Sequence, residues 1–171
     1  MFDAIFFDLD GTLVDTEVLA LAAGIKAFAA LGHPVDLPFM HRLVGVDIPT
    51  AGKIIAAAHP GLDQSQLHPI WEASFQAAMA EDGLMLKPGA TELLSARLYP
   101  MALVTSSGRR GAHDKLARTG IAHHFDLVIT VEDVTAPKPA PAPYLLAAER
   151  LGVNPARCLV FEDSETGAEA A

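Results

Sequence analysis

The chain has 171 residues, about half of them apolar, and a formal net charge of −9. This length fits one globular domain or a core with a modest insert, and the acidic balance disfavours binding to nucleic acid or to an anionic membrane surface. The single cysteine, Cys158, excludes an internal disulfide and favours a reducing, cytoplasmic location. The first residues lack the pattern of a signal peptide, and no apolar run approaches the ~20 residues of a membrane span.

The amino-terminal segment places an apolar run directly before two acids. Residues 5–7 are apolar, and Asp8, Leu9, Asp10 and Gly11 follow at once. This pattern predicts a buried strand that ends in a loop. Side chains at i and i+2 of an extended backbone point the same way, so both carboxylates can reach one site. Such close acids repel each other unless a cation lies between them or one is protonated. The alternative is a polar turn with no further role.

The segment that follows has no strand pattern between about residues 16 and 85. Helix-forming residues dominate four stretches that are separated by prolines, namely 18–31, 39–44, 50–58 and 64–80. This pattern predicts an all-helical insert, the size of a small bundle, at 16–85. The remaining parts, 1–15 and 86–171, form the core.

Strands and helices alternate in the rest of the chain. Three further apolar strands are predicted, at 101–105, 125–130 and 157–161. Helices between them predict an α/β fold with a parallel sheet and right-handed crossovers. The sequence stops two turns into a helix that starts at Ser164. Because another strand would normally cover the fourth one, we expect that the carboxy-terminal part of the core is missing.

Polar residues also close the later strands. Thr105 and Ser106 end the second strand, Lys138 lies in the proline-rich loop after the third, and Glu162 and Asp163 end the fourth. The carboxyl ends of parallel strands share one edge of the sheet, where ligands bind. Taken singly, each residue also fits a helix cap, a solvated lysine or ordinary strand-end polarity. Their occurrence at four strand ends, in order, favours a common site.

Together these motifs resemble the haloacid dehalogenase-like (HAD) hydrolase superfamily. The resemblance rests on Asp-Leu-Asp-Gly-Thr at 8–12, the hydroxyl at 105, Lys-Pro-x-Pro at 138–141, and the acidic pair followed by Ser-x-x-Gly at 164–167. It implies a Rossmann-like core with a helical cap inserted after the first loop, as in the β-phosphoglucomutase and phosphoglycolate-phosphatase branch.

The resemblance also implies an activity: a phosphatase that forms an aspartyl-phosphate and acts on a small phosphorylated metabolite. Asp8 is then the nucleophile, and Asp10 protonates the leaving oxygen and later deprotonates the attacking water. Thr105, Ser106 and Lys138 hold the phosphate oxygens. The expected partner is therefore a small-molecule phosphate ester.

A Mg²⁺ cofactor follows from the same resemblance. A phosphate monoester is a dianion that an acidic pocket repels, and Mg²⁺ held by oxygen ligands inverts that field. The implied ligands are the carboxylates of Asp8 and Asp163 and the main-chain carbonyl of Asp10. Glu162 binds the ion either directly or through water.

A sugar-phosphate mutase is the alternative within this branch. Such mutases carry a histidine early in the first cap helix, where this chain has Ala20. They also carry an arginine just after a Gly-Val pair, whereas here Asp47 follows Gly45 and Val46. A mutase needs a cation for its second phosphate. Arg42 or Lys53 could supply that charge, but each is better explained as a solvated residue of the helical insert. Phosphatase activity is therefore the preferred interpretation.

Two further alternatives come from other classes. A phospho-acceptor domain of the receiver type also gathers acids, a hydroxyl and a lysine, but its phosphorylated acid follows the third strand. A binding module without activity is compatible with a missing carboxy-terminal part. The sequence determines neither the substrate nor the oligomeric state.

Overall fold

The computed structural model describes residues 2–44, 48–81 and 83–171, without the side chain of Ile48. The chain divides into two compact units. The first comprises Met1–Asp15 and Leu84–Ala171, and the second comprises Thr16–Gly83. The helices in chain order are α1 (Glu17–Ala30), α2 (Leu37–His41), α3 (Ile48–Ala58), α4 (Gln64–Glu81), α5 (Ala90–Ala96), α6 (Arg109–Thr119), α7 (Ala142–Leu151) and α8 (Glu165–Ala170).

The first unit contains a four-stranded parallel sheet, which confirms the predicted α/β fold class. Its strands are β1 (Ala4–Phe7), β2 (Met101–Val104), β3 (Leu127–Ile129) and β4 (Cys158–Phe161), in the spatial order β3-β2-β1-β4. Phe7 at the end of β1 lies opposite Leu103 of β2 and Phe161 of β4. The carboxyl ends of the central strands are therefore level with each other at one edge.

Both faces of this sheet are buried, because successive side chains of a strand point to opposite sides. On one face, Phe7 and Leu103 pack with Leu94 of α5 and Leu116 of α6. On the other face, Phe6, Ala102 and Val104 pack with residues of α7. A parallel sheet covered on both faces explains why its strands are continuous apolar runs rather than alternating patterns.

The predicted third strand, 125–130, is too long at both ends. Phe125 ends a 3-10 turn (Ala122–His124), and the side chain of Asp126 accepts hydrogen bonds from Met101 N at 2.9 Å and from Arg97 Nη2 at 2.7 Å. Thr130 starts a second 3-10 turn (Val131–Asp133) in which it and Asp133 cap each other. Side-chain hydrogen bonds thus satisfy backbone groups where the apolar pattern predicted a sheet ladder.

The described residues of the second unit form four helices, α1 to α4, and the loops that join them. Phe28 is fully buried in its core together with Met40 and Leu67. A side chain at Gly24 of α1 would collide with Met40 and with the indole of Trp71, so this glycine permits close packing of α1 against its neighbours. Whether this unit acts as a cap stays a prediction.

The positions used to weigh a mutase lie in this second unit. Ala20 is in α1, and its carbonyl accepts a hydrogen bond from Trp71 Nε1 at 2.9 Å. The Arg42 guanidinium stacks 4.8 Å above the ring centre of Phe39. The positions Gly45, Val46 and Asp47 lie outside the described residues.

No helix of the described chain has both the length and the apolar character that a bilayer crossing requires.

The sheet core gives a first testable prediction. Leu103→Ala should lower the free energy of unfolding by about 2–5 kcal/mol, because Leu103 is fully buried in β2 and its truncation leaves a cavity. Leu98→Ala is the matched control, since 75% of Leu98 is exposed, and it should change stability by less than about 0.5 kcal/mol. Urea denaturation followed by circular dichroism measures both. Equal losses for the two variants would contradict the assigned core.

Candidate active site

The loop after β1 holds its first acid in a fixed place. The Asp8 amide still donates to Phe161 O at 3.0 Å, so Asp8 continues the sheet, and its side chain is buried. Gly11 has a φ of +84°, which side chains other than glycine rarely adopt. Its amide donates to Val14 O at 2.8 Å and closes the turn. The loop thus presents Asp8 from the strand end and returns sharply.

Lys138 reaches the same place from the loop after β3. Its ammonium, almost fully buried, donates to Asp8 Oδ1 at 2.8 Å, to Val104 O at 2.8 Å and to Glu162 Oε1. These three contacts use all three N–H groups of the lysine. In this arrangement Lys138 is the counter-charge of two buried acids. The phosphate-binding role predicted for Lys138 stays a prediction and requires one of these donors to change partner.

Glu162, at the end of β4, is held on both of its oxygens. Oε1 accepts from Lys138 and from the Tyr144 hydroxyl at 2.7 Å, and Oε2 accepts from Ser164 Oγ at 3.1 Å. A Cβ at Gly167 would overlap the Glu162 carboxylate. The Ser-x-x-Gly motif therefore has a packing reason: Gly167 leaves room for the acid, and Ser164 both contacts it and caps α8.

Asp163 approaches the loop after β1. Thr12 Oγ1 donates to Asp163 Oδ1 at 3.2 Å, and a Cβ at Gly11 would overlap the Asp163 carboxylate. Carboxylate oxygens of Asp8, Glu162 and Asp163 lie within 4.8 Å of one another. This cluster of hard oxygen donors can hold a divalent cation.

Asp10 points to a partner that the sequence analysis missed. Its Oδ1 accepts from Lys115 Nζ at 2.5 Å and its Oδ2 from Ser107 Oγ at 2.6 Å, while Lys115 also donates to Ser107 Oγ at 3.0 Å. Lys115 is buried in α6 on the same face as Ala112 and Leu116. The sequence places this lysine at a core position of an amphipathic helix. Because lysine is rarely buried without a partner, that position could have predicted an acidic partner for Lys115.

The predicted site residues meet at one edge of the sheet. Thr105 is buried, and its Oγ1 accepts from Ser107 N at 3.0 Å. An open cavity of about 340 Å³ is lined by Asp8, Asp10, Thr105, Ser106, Ser107, Lys138, Asp163, Ser164 and Thr166. Glu162 adjoins this cavity through its contact with Lys138. A larger hollow of about 650 Å³, in the second unit between Pro34 and His59, has no such group of acids.

The charges around this cavity do not balance. Burial raises the pKa of Asp8 to about 7, although Lys138 opposes the shift. Burial also acts to raise the pKa of Glu162, but hydrogen bonds from Lys138 and Tyr144 outweigh it and lower that pKa. Four carboxylates, including those of Asp10 and Asp163, face two ammonium groups, so two negative charges remain when all the acids are ionised. A divalent cation would neutralise them.

Comparison with known proteins identifies the family. The family profile described as a haloacid dehalogenase-like hydrolase matches residues 2–171. A fructose-1-phosphate phosphatase of Escherichia coli strain K12 is 34% identical, over 98% of this chain and 89% of its own length. A phosphorylated carbohydrates phosphatase of Thermotoga maritima is 32% identical, over 99% of this chain and 80% of its own.

The fold has matching solved structures as well. One is a Thermotoga maritima protein provisionally described as a beta-phosphoglucomutase, with a TM-score of 0.82 and 30% identity. The match covers 98% of this chain and 79% of that one. These similarities confirm the predicted superfamily and its β-phosphoglucomutase and phosphoglycolate-phosphatase branch.

The raised pKa of Asp8 predicts a pH-dependent stability in metal-free protein. Because the folded state favours the protonated Asp8, ionisation destabilises the fold as pH rises from about 4 to about 7. The side chain introduced by Asp8→Asn does not ionise. The free energy of unfolding of this variant, relative to wild type, should therefore increase over that pH range by up to about 4 kcal/mol. Urea denaturation in the presence of EDTA measures the trend.

The control for this experiment is Asp114→Asn, which alters an exposed i,i+4 pair with Arg118 on α6. Its stability relative to wild type should not follow the same rise. A constant difference between Asp8→Asn and wild type across the pH range would show that Asp8 ionises in the fold as it does in the unfolded chain.

Proposed function

The chain belongs to the haloacid dehalogenase-like hydrolase family as a phosphatase, and we propose that it hydrolyses small phosphorylated sugars with the help of Mg²⁺. One observation carries the proposal: the buried carboxylate of Asp8 faces the ammonium of Lys138 and two further acids beside an open cavity. The names of the relatives support a phosphorylated carbohydrate as the substrate class.

Mg²⁺ would be held by the clustered carboxylates of Asp8 and Asp163, with the Asp10 carbonyl as a further ligand. Glu162 lies close enough to join them, and its hydrogen bonds to Lys138, Tyr144 and Ser164 support an alternative role as an anchor for the lysine. When bound, the ion supplies positive charge that offsets the repulsion between the acids and a phosphate dianion.

The protein's own residues then divide the reaction between them. Asp8 attacks phosphorus in line, a phosphorus–oxygen bond to Asp8 forms, and the ester bond to the sugar oxygen breaks. Asp10 gives its proton to that leaving oxygen. In the second step water attacks the aspartyl-phosphate, Asp10 takes the water's proton, and free Asp8 and inorganic phosphate are regenerated. Thr105 and Ser106, which line the cavity, orient the phosphate oxygens.

The other candidate functions have less support. The mutase alternative is not favoured because Ala20 offers no acid–base group and the relatives named above are phosphatases. Those relatives also weigh against a phospho-acceptor or a binding module. The cytoplasmic location expected from the single Cys158 remains a proposal.

The nucleophile is tested by substitution. Asp8→Asn should lower Mg²⁺-dependent turnover of p-nitrophenyl phosphate by at least about 10³-fold, because the amide cannot form the acyl phosphate. Asp114→Asn, on the exposed face of α6, should keep the wild-type rate. The rate of p-nitrophenol release, followed by absorbance, compares wild type with the two variants. Turnover by Asp8→Asn at the wild-type rate would overturn the proposed function.

The substrate class is tested separately. Fructose 1-phosphate and 6-phosphogluconate, the substrates named for two relatives, should give a higher kcat/KM than p-nitrophenyl phosphate. Binding energy from the sugar can raise kcat/KM only when the protein contacts the sugar. Phosphate release measured with the malachite green assay gives the comparison. A uniformly low kcat/KM for phosphorylated sugars would exclude this class while leaving the phosphatase activity intact.

A further inference from the structure

Lys115 is a buried cation with no part in the mechanism described so far. Its side chain is only 10% exposed, and its ammonium contacts Asp10 Oδ1 and Ser107 Oγ. Taking a charge out of water is unfavourable unless its partners compensate. A lysine within the apolar face of α6 therefore needs a reason beyond packing, and its contacts point to Asp10.

Each of the two acids in the first loop thus has its own lysine. Lys138 contacts Asp8 from the loop after β3, and Lys115 contacts Asp10 from α6. The two pairs differ in their surroundings. Lys138 also contacts Glu162 of the acidic cluster, whereas the described hydrogen bonds of the Lys115 ammonium go to Asp10 and Ser107.

The Asp10 side chain needs such restraint because it is 30% exposed at the edge of the cavity. A carboxylate that moves a proton must be placed within hydrogen-bond reach of the leaving oxygen. Lys115 and Ser107 each donate a hydrogen bond to a different oxygen of Asp10, and Lys115 also donates to Ser107. These three hydrogen bonds restrain both torsion angles of the Asp10 side chain. Small displacements of a catalytic group are costly for the rate.

We propose that Lys115, assisted by Ser107, is a positioning residue that sets the Asp10 carboxylate for proton transfer to the leaving group. This inference rests on the proposed function. A merely structural ion pair between α6 and the loop would affect stability alone. A positioning role predicts a loss of rate that grows with the need of the leaving group for a proton.

The test compares p-nitrophenyl phosphate with phenyl phosphate, whose leaving group is more basic and depends more on the general acid. Lys115→Met should lower kcat/KM for phenyl phosphate, which reports only the step that releases the leaving group, by roughly 10- to 100-fold, with a smaller loss for p-nitrophenyl phosphate. Lys115→Arg keeps the charge and should recover part of the rate. Lys26→Met, at an exposed lysine of α1, is the control and should match wild type.

A double substitution asks whether the effect passes through Asp10. In the Asp10→Asn background the acid is already absent, so adding Lys115→Met should change kcat/KM for phenyl phosphate by less than about 2-fold. Equal losses of kcat/KM for both aryl phosphates, or a full further loss in the Asp10→Asn background, would overturn the positioning role. Thermal unfolding of each variant identifies a loss that is due to misfolding.

A crystal structure of the Lys115→Met protein separates this inference from the proposed function. The Asp10 carboxylate should leave its place against Ser107, and an unchanged carboxylate would overturn the inference whether or not the protein turns over phosphate esters. Absence of Mg²⁺-dependent turnover in wild type, by contrast, would overturn the proposed function and the kinetic role with it.

Discussion

The site depends on one buried ammonium group, that of Lys138, placed between the carboxylates of Asp8 and Glu162. Two acids from neighbouring strands would otherwise repel each other in a region that water hardly reaches. The lysine supplies a positive charge and three hydrogen-bond donors, one of which binds the Val104 carbonyl at the end of β2. It therefore ties β1, β2 and β4 together at the edge where the chemistry is proposed.

Space around the acids is provided by glycine. Gly11 and Gly167 lie where a methyl group would overlap the carboxylates of Asp163 and Glu162, respectively. The two acids can thus approach the loop after β1 and the start of α8 more closely than any side chain at these positions would allow. The same packing leaves an excess of negative charge beside the cavity, which explains why this sheet edge suits a divalent cation.

The sequence indicated the elements well, because the strands are apolar runs that end in polar residues and the helices are bounded by glycine or proline. The four predicted strands occur, with β3 shortened where Asp126 and Thr130 form side-chain hydrogen bonds. The local apolar pattern could not predict those hydrogen bonds. Asp126 binds Met101, which is distant in sequence, and Thr130 binds Asp133 in place of a neighbouring strand. The roles of the site residues, and of the second unit as a cap, remain predictions.

By itself the sequence determined which residue types stand at the strand ends, and hence that Asp8, Thr105, Lys138 and Asp163 would share one edge. The carboxyl ends of parallel strands lie at the same edge of the sheet. A residue that follows any of these strands in sequence therefore reaches that edge without further information. Only the tertiary structure decided how the side chains pair: that Lys138 gives all its donors to the protein, and that Lys115 reaches Asp10 across 105 positions of sequence. Such pairings depend on the packing of α6 against the sheet, which no short stretch of the chain encodes.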